Sequence, residues 1–512
     1  MIDSRPPPDD RSKSDPQTLS PGVRRISDAI LWVAAVGFAV GLAYFIIVPA
    51  KRAAGVNSIV FWYVVPALVV LLAVWALRSP VERRVTTALL LLSVMGSALT
   101  AEALLRAFPS RVAGFSMTTV VADSVCSGEF RRQAGCLAAA QTGKPFDRRT
   151  TLEVIQDFEA QGIEAWPSLD ASHYIESDIV TEIGGRVVVP LSPGIPEVFT
   201  VFCNEAGSWV TYDSDEYGFN NPPGSHQAGG IEVAIVGDSF VHGWCVPFEQ
   251  TLVGRMRQGD HTVLGVGLEG SGPLAQLGIE REYLEPLRPS VVVWVFYEGN
   301  DLKDFSSELS DDLLPRYLIL DFKQGLRELR APLTRNLRDR VFRLRDEEVT
   351  RVELAPKQRE SARHRRQSLA GWIRLTEVRS RLADLGQSRK RVHQYDPALF
   401  DQVASRMRDD VAGWGGTLLF AYLPDRTRFE DPSTGTPHRS SILAQVSALG
   451  IPTVDLLEAL SGHPDPLSLY PFRLESHLTA EGYDLMARAL DERIKALPFR
   501  SEGSQTPAME TE

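Results

Sequence analysis

The chain has 512 residues, with 44% hydrophobic and 23% charged positions, a balance that excludes a wholly disordered polymer and suits one large domain plus something more. Its formal net charge of −11 argues against a nucleic-acid partner, because a surface built for phosphates leaves a basic balance.

Residues 1–25 are rich in Pro, Ser and Asp and poor in large apolar residues, which predicts a disordered tail. Two uncharged apolar stretches follow, Ile30 to Ala50 and Ser58 to Leu77, each close to the ~20 residues that cross a bilayer. A third, Val85 to Ala101, is shorter and ends at Glu102 and Arg106; it reads as a span with a polar end or as a buried helix. Residues 26–108 are therefore expected to form three transmembrane helices in the lipid bilayer. Arg24 and Arg25 precede the first span and Arg78, Arg83 and Arg84 fill the second loop, against Lys51 and Arg52 in the first loop. The positive-inside rule then places the N-terminus in the cytoplasm and everything after the third span outside it. A cleaved signal peptide fits less well, given the long polar leader and the further spans behind it.

The four cysteines, Cys126, Cys136, Cys203 and Cys245, would then meet an oxidising compartment. Cys126 with Cys136 is the simplest pair to expect from spacing, but four cysteines allow three pairings, and buried free thiols are an equal alternative. No Cys-x-x-Cys or His-rich cluster suggests a metal, and no cofactor motif is present.

Residues 109–230 read as an accessory α/β segment. Thr151 to Ala160 is amphipathic, with Leu152, Ile155 and Phe158 on one face, and short β-like runs follow at Arg186 to Pro190, Val198 to Cys203 and Trp209 to Tyr212. From 231 to 500 strand-like runs alternate with helical patterns. Strands are expected at Ile231 to Gly237, His261 to Gly267, Val291 to Gly299, Gly416 to Pro424 and Ile451 to Leu457. Helices are expected near Glu249 to Gln258, Pro273 to Leu287, Ala398 to Trp414, Ser440 to Leu449 and Thr479 to Leu497. Such alternation implies a parallel sheet covered on both faces, and Val291-Val-Val-Trp-Val-Phe has no polar side, as burial on both faces requires. A helical insertion at about 302–396 carries a run of arginines, Arg335, Arg338, Arg340, Arg343 and Arg345, then Arg363, Arg365, Arg366, Arg389, Lys390 and Arg391. It reads either as a basic patch for anionic headgroups or polymers, or as a solvated face with acidic partners. Residues 501–512 are a second polar tail.

Ligands of an open parallel sheet bind at the carboxyl ends of its strands. Those ends carry Gly237-Asp238-Ser239, Gly265-Val266-Gly267 and Gly299-Asn300-Asp301, and the segment after the last strand holds Glu475-Ser476-His477. A serine at a strand-to-helix turn becomes a nucleophile when a base takes its proton and donors await the oxyanion. Ser239 suits that role, with His477 as base, Glu475 as the carboxylate orienting it, and an oxyanion hole from the Ser239 turn, the Gly267 N–H and the Asn300 amide. Singly, each has a bland reading: Gly-Asp-Ser as a turn and helix start, Gly-Asn-Asp as a turn, His477 as a cap and Glu475 as a solvated charge. Their order at successive strand ends is the signal.

Ile235-Val-Gly-Asp-Ser-Phe-Val-His-Gly, Gly267, Gly299-Asn300-Asp301 and His477-Leu-Thr-Ala-Glu-Gly resemble, in that order, the four blocks of the SGNH/GDSL hydrolase superfamily. The resemblance covers about 231–497 outside the insertion, and the upstream Asp215-Glu-Tyr-Gly-Phe-Asn-Asn-Pro is similar to a segment of membrane-linked relatives. It implies a flavodoxin-like three-layer sandwich and acyl chemistry through a serine ester, with Ser239, Gly267, Asn300 and His477 as nucleophile, two oxyanion donors and base. The family's acid stands three residues before the histidine, where this chain has Leu474; Glu475, two before, takes its place. Hydrolysis of acyl, in the first instance acetyl, esters of an extracytoplasmic carbohydrate or lipid-linked substrate is the leading expectation. Transfer of the acyl group to a polysaccharide hydroxyl, with a membrane protein partner supplying it, is the second; a non-catalytic polysaccharide-binding or assembly protein is the third.

Overall fold

The computed structural model describes residues 20–47, 64–107, 130–175, 181–227, 230–346, 349, 395–431 and 437–497. Among the described residues ten strands follow in chain order: β1 Ala165–Pro167, β2 Thr181–Ile183, β3 Arg186–Val188, β4 Phe199–Cys203, β5 Val210–Asp213, β6 Val233–Gly237, β7 Val263–Gly267, β8 Val291–Tyr297, β9 Thr417–Leu423 and β10 Thr453–Asp455. The chain divides into two units, one holding the described residues up to 107 and the other those from 130 onward.

The second unit is built on a five-stranded sheet in the order β10-β9-β8-β6-β7. Every neighbouring pair is parallel. Alternate side chains go to opposite faces. Ala234, Val236, Val292, Trp294 and Phe296 pack with Leu274 and Leu277 of the helix Pro273–Ile279 and with Phe400, Val403 and Met407 of the helix Pro397–Gly413. Val233, Ile235, Val291, Val293 and Val295 pack with Met256 of Leu252–Arg257, Leu456 of Leu456–Ser461 and Tyr483, Met486 and Leu490 of Ala480–Lys495. Each such side chain contributes about 1.5–3 kcal/mol on leaving water, so a sheet apolar on both faces is stable only between two helical layers. The direction of strand addition reverses at β6, whose neighbours are β7 and β8; a crevice therefore opens at its carboxyl end. The parallel sheet between two helical layers is what the alternating pattern predicts, and its doubly wound, flavodoxin-like order is what the family resemblance implies.

Residues 130–230 belong to the same unit. β1, β4 and β5 form a small separate sheet, and β2 pairs with β3. Trp166, Leu169, Leu191 and Phe219 share one core with Trp294 of β8, so this segment is packed onto the main sheet rather than appended to it. A capping box starts its helix Thr151–Ala160: Glu153 N–H donates to the Thr150 hydroxyl, and Thr150 N–H donates to the Glu153 carboxylate.

The insertion begins with the helix Asp301–Glu308 and continues through a helix over 330–346. Its first group of arginines is largely engaged within the fold. Arg345 donates to both carboxylate oxygens of Glu159 (2.6 and 2.8 Å), Arg338 lies over the Trp166 ring and Arg340 is 1% exposed beside Tyr174. The later basic residues, Arg363 to Arg391, lie outside the described residues.

In the first unit the helices are Pro21–Ile47, Val65–Leu77 and Val81–Ala107. Small residues, Ala35, Ala73, Ala76 and Ala88, meet around Leu31, while Trp32, Val33, Val36, Leu71, Trp75 and Leu89 face outward. Among the described residues one helix, Val81–Leu104, is long and apolar enough to cross a membrane; it contains the third expected span. The first two expected spans run partly outside the described residues.

Candidate active site

β6 delivers the nucleophile candidate. An added Cβ at Gly237 would lie 2.9 Å from the Val295 carbonyl and 2.7 Å from Val241, so only glycine lets the next turn fold back onto the sheet. Asp238 then caps the four-residue helix Ser239–His242 by accepting the Phe240 N–H at 3.0 Å, and Gly243, at φ 82°, closes it in the left-handed region. The Ser239 side chain is thus fixed at the carboxyl edge of β6, where it is 4% exposed.

His477 comes from the loop before the helix Ala480–Lys495, whose N-cap is Thr479. It is 2% exposed, flanked by the rings of Phe240 (centroids 4.8 Å) and Trp244 (5.3 Å). Its Nε2 lies 2.8 Å from Ser239 Oγ. The distance is that of a hydroxyl donating to an imidazole.

The carboxylate on the other side of the imidazole is not Glu475, which is exposed two residues away. It is Glu205, in the turn between β4 and β5. Its Oε1 lies 3.0 Å and its Oε2 3.1 Å from His477 Nδ1, and Oε2 also accepts the His477 backbone N–H at 3.0 Å. One buried carboxylate therefore fixes both the ring and the main chain of His477. A side chain two residues before the histidine would have to double back on its own backbone to do this; Glu205 approaches directly from the neighbouring small sheet.

Gly267 also differs from expectation. It is buried at the end of β7, and a Cβ there would lie 2.1 Å from the His242 nitrogen, so its glycine serves close packing of the nucleophile turn. The residues of this loop that line the cleft beside Ser239 are Glu269 and Gly270, the latter at φ 69°. Asn300 does line the cleft. One hydrogen of its amide Nδ2 is donated to Asp304 Oδ2 at 2.7 Å, which leaves the second for a ligand.

The cleft measures about 260 Å³ and is polar, lined around Ser239 by Asp170, Ser172, Glu269, Lys303 and Asp304. It is smaller than a typical drug-sized site. Glu308, on its wall, accepts the N–H groups of Gly272 (2.6 Å) and Leu274 (2.9 Å), and burial pushes its carboxyl up to about 7. Asp301 is held well above the usual carboxylate range by burial and by the neighbouring Asp238. His242 accompanies Tyr212, with its Nε2 3.0 Å from the phenol; burial and the nearby His477 bring it down to about 3, so it stays neutral and is no rival base. A larger apolar pocket of about 410 Å³, between Leu152, Trp166 and Phe342, contains none of Ser239, His477 or Glu205.

Asp215, Glu216 and His226 lie buried with side-chain ligand atoms within 4.8 Å of one another, spacing that could hold a metal. Asp215 is already an acceptor for Tyr217 and Phe219 N–H, for Asn221 and for His226, a set that braces the turn before β6. Cys203 pairs with Cys245, the pairing that a Cys126–Cys136 bridge would leave. Cys136 is disulfide-bonded, and Cys126 lies outside the described residues.

Fold and site together define a doubly wound α/β protein with a serine–histidine–carboxylate constellation at the carboxyl end of its first main strand. No protein-family model and no curated protein matches the chain. Among solved structures it is similar to a lipase/acylhydrolase from Enterococcus faecalis, at 12% identity over 51% of this chain and 94% of that one, with a TM-score of 0.29. It is also similar to a GDSL-like lipase from Bacteroides thetaiotaomicron (15% identity, 52% and 88% covered, TM-score 0.28). A third is a two-domain esterase active on acetylated mannans (10% identity, 56% and 55% covered, TM-score 0.26).

Proposed function

We propose that this chain is a serine esterase in which Ser239 attacks an acyl ester, His477 takes and returns the proton, and Glu205 holds the imidazole. The observation that carries this reading is the continuous contact from Ser239 Oγ through His477 to Glu205, at 2.8 and 3.0 Å. Nδ1–H donates a hydrogen bond to Glu205, which leaves the Nε2 lone pair facing the serine hydroxyl. As the serine oxygen bonds to the ester carbon, charge develops on the carbonyl oxygen; the Gly270 main chain and the free Asn300 hydrogen border the space it enters. The imidazolium then protonates the leaving alkoxide, and water repeats the cycle on the serine ester.

A small polar cleft supports a short acyl group, such as acetyl, on a hydroxyl-rich alcohol, consistent with an ester of a carbohydrate or lipid-linked sugar. The outward apolar faces of the first unit, with the Val81–Leu104 helix, support anchoring in a membrane with the esterase unit outside the cytoplasm. The test is hydrolysis of short-chain nitrophenyl esters by the full chain, compared with Ser239→Ala and His477→Ala. Equal rates in all three would remove the reading, and a Ser239-dependent rate raised by a sugar acceptor would move it from hydrolysis to transfer. A reporter fused after Phe108 should be active only outside the cytoplasm.

A further inference from the structure

The Glu205 turn and the Ser239 turn belong to different sheets, and among the described residues no strand ladder joins them: β4 lies between β1 and β5, whereas β6 lies between β7 and β8. The catalytic arrangement nevertheless needs Glu205 placed to a few tenths of an ångström. Beside the bonds of Glu205 itself to His477, the hydrogen bonds of Asn204 and Gly207 in this turn run to Asp147, away from the nucleophile. Asn204 Nδ2 donates to the Asp147 carbonyl (2.9 Å), Gly207 N–H donates to Asn204 Oδ1 (2.9 Å), and Asp147 N–H donates to the Gly207 carbonyl (2.8 Å).

One covalent link crosses the gap. Cys203 ends β4, two residues before Glu205, and Cys245 stands just beyond the Ser239 helix, where Trp244 N–H donates to the Ser239 carbonyl. Their Cα atoms are 5.4 Å apart, both residues are buried, and Cys245 takes a left-handed φ of 60°. Around the bridge, Phe202 packs on His242 (4.2 Å) and Trp244 (4.7 Å), and Trp244 in turn packs on His477. The bridge therefore sits in one cluster with the groups that wall in the imidazole.

We propose that the Cys203–Cys245 disulfide is a positioning element that holds the Glu205 turn against His477, so that full activity belongs to the oxidised protein. This rests on the esterase reading and on Glu205 as its carboxylate. Reduction by a dithiol breaks the S–S bond and adds two electrons and two protons, giving two thiols, while the dithiol closes to its own disulfide. The aromatic packing and the Tyr212–His242 contact remain, so the expected outcome is a loosened acid in a folded protein.

The experiment compares the full chain with the Cys203→Ser/Cys245→Ser double variant, which keeps the bond at Cys136, and with dithiothreitol-treated and reoxidised wild type. A misplacement of about 1 Å costs on the order of 10²-fold, so kcat should fall by about that factor with KM within about twofold, and reoxidation should restore it in the wild type only. Independently of turnover, in a Ser239→Ala background, the far-downfield proton resonance of the His477–Glu205 hydrogen bond should be present when the bridge is intact. It should vanish in the double variant and in a Glu205→Gln control. A resonance and kcat unchanged without the bridge would overturn the proposal, as would loss of the cooperative unfolding transition in place of a local change. Absence of Ser239-dependent turnover in the oxidised protein would sink the esterase reading, while the resonance would still decide whether the bridge places Glu205.

Discussion

Replacing Glu205 by Gln changes one atom and should nearly silence the site. The backbone N–H of His477 donates to Oε2 at 3.0 Å, and the ring Nδ1 lies 3.0 Å from Oε1. The backbone donor is fixed, so the glutamine must turn its carbonyl oxygen to it and its NH₂ to the ring. Nδ1 then has to accept, which moves the imidazole proton to Nε2, the nitrogen that should take the proton of Ser239. Holding the wrong tautomer costs on the order of 10²–10⁴ in kcat, or about 3–5 kcal/mol of transition-state stabilisation. Glu475→Gln, at an exposed side chain, should leave kcat within about twofold. Steady-state hydrolysis of nitrophenyl acetate by the two variants, with thermal unfolding as the control for folding, makes the comparison. A folded Glu205→Gln protein with wild-type kcat, or a larger loss at Glu475 than at Glu205, would refute the assignment of the acid.

Asn300→Ala should lower kcat by about 10²- to 10³-fold with little change in the melting temperature, since its Nδ2 lies at the cleft and one of its hydrogens is uncommitted; kinetics with the same ester checks this. His242 provides a pH prediction. Its folded value, about 3 against 6.5 when unperturbed, means that the unfolded chain binds the extra proton between these values. Stability is then full above about pH 6.5 and falls as the pH drops toward 3, with a ceiling on the order of 5 kcal/mol. The gap between the melting curves of the wild type and of His242→Gln, which keeps an acceptor for Tyr212, should shift against the wild type as the pH falls from about 6.5 toward 3 and stay constant above about 6.5; curves parallel across that range would exclude His242 as the source.

The strands and most of the helices of the main sheet were legible because their pattern is set locally. A run such as Val291–Tyr297 admits only burial on both faces, and Gly237-Asp238-Ser239 encodes its own turn. Glu205 was not legible, since it lies 272 residues from His477, in a turn of another sheet, and no spacing rule connects them. The one local hint was an acidic residue in a turn two residues after a cysteine. Gly267 misled for a related reason: periodicity marks a strand end, but whether a glycine there opens a cleft or admits a neighbouring backbone depends on what packs above it. The arginine run was ambiguous in the same way. Charge counts do not reveal that Arg345 has Glu159 and that Arg340 is buried beside Tyr174.

In the proposed mechanism Ser239 becomes acylated because His477 and Glu205 activate it. Treating the full chain with a fluorophosphonate and mapping the adduct by peptide mass spectrometry tests this directly. A single stoichiometric adduct is expected on Ser239, abolished by His477→Ala and slowed by about 10²-fold or more by Glu205→Gln. An adduct on another residue, or labelling of Ser239 at the same rate in all three proteins, would contradict it.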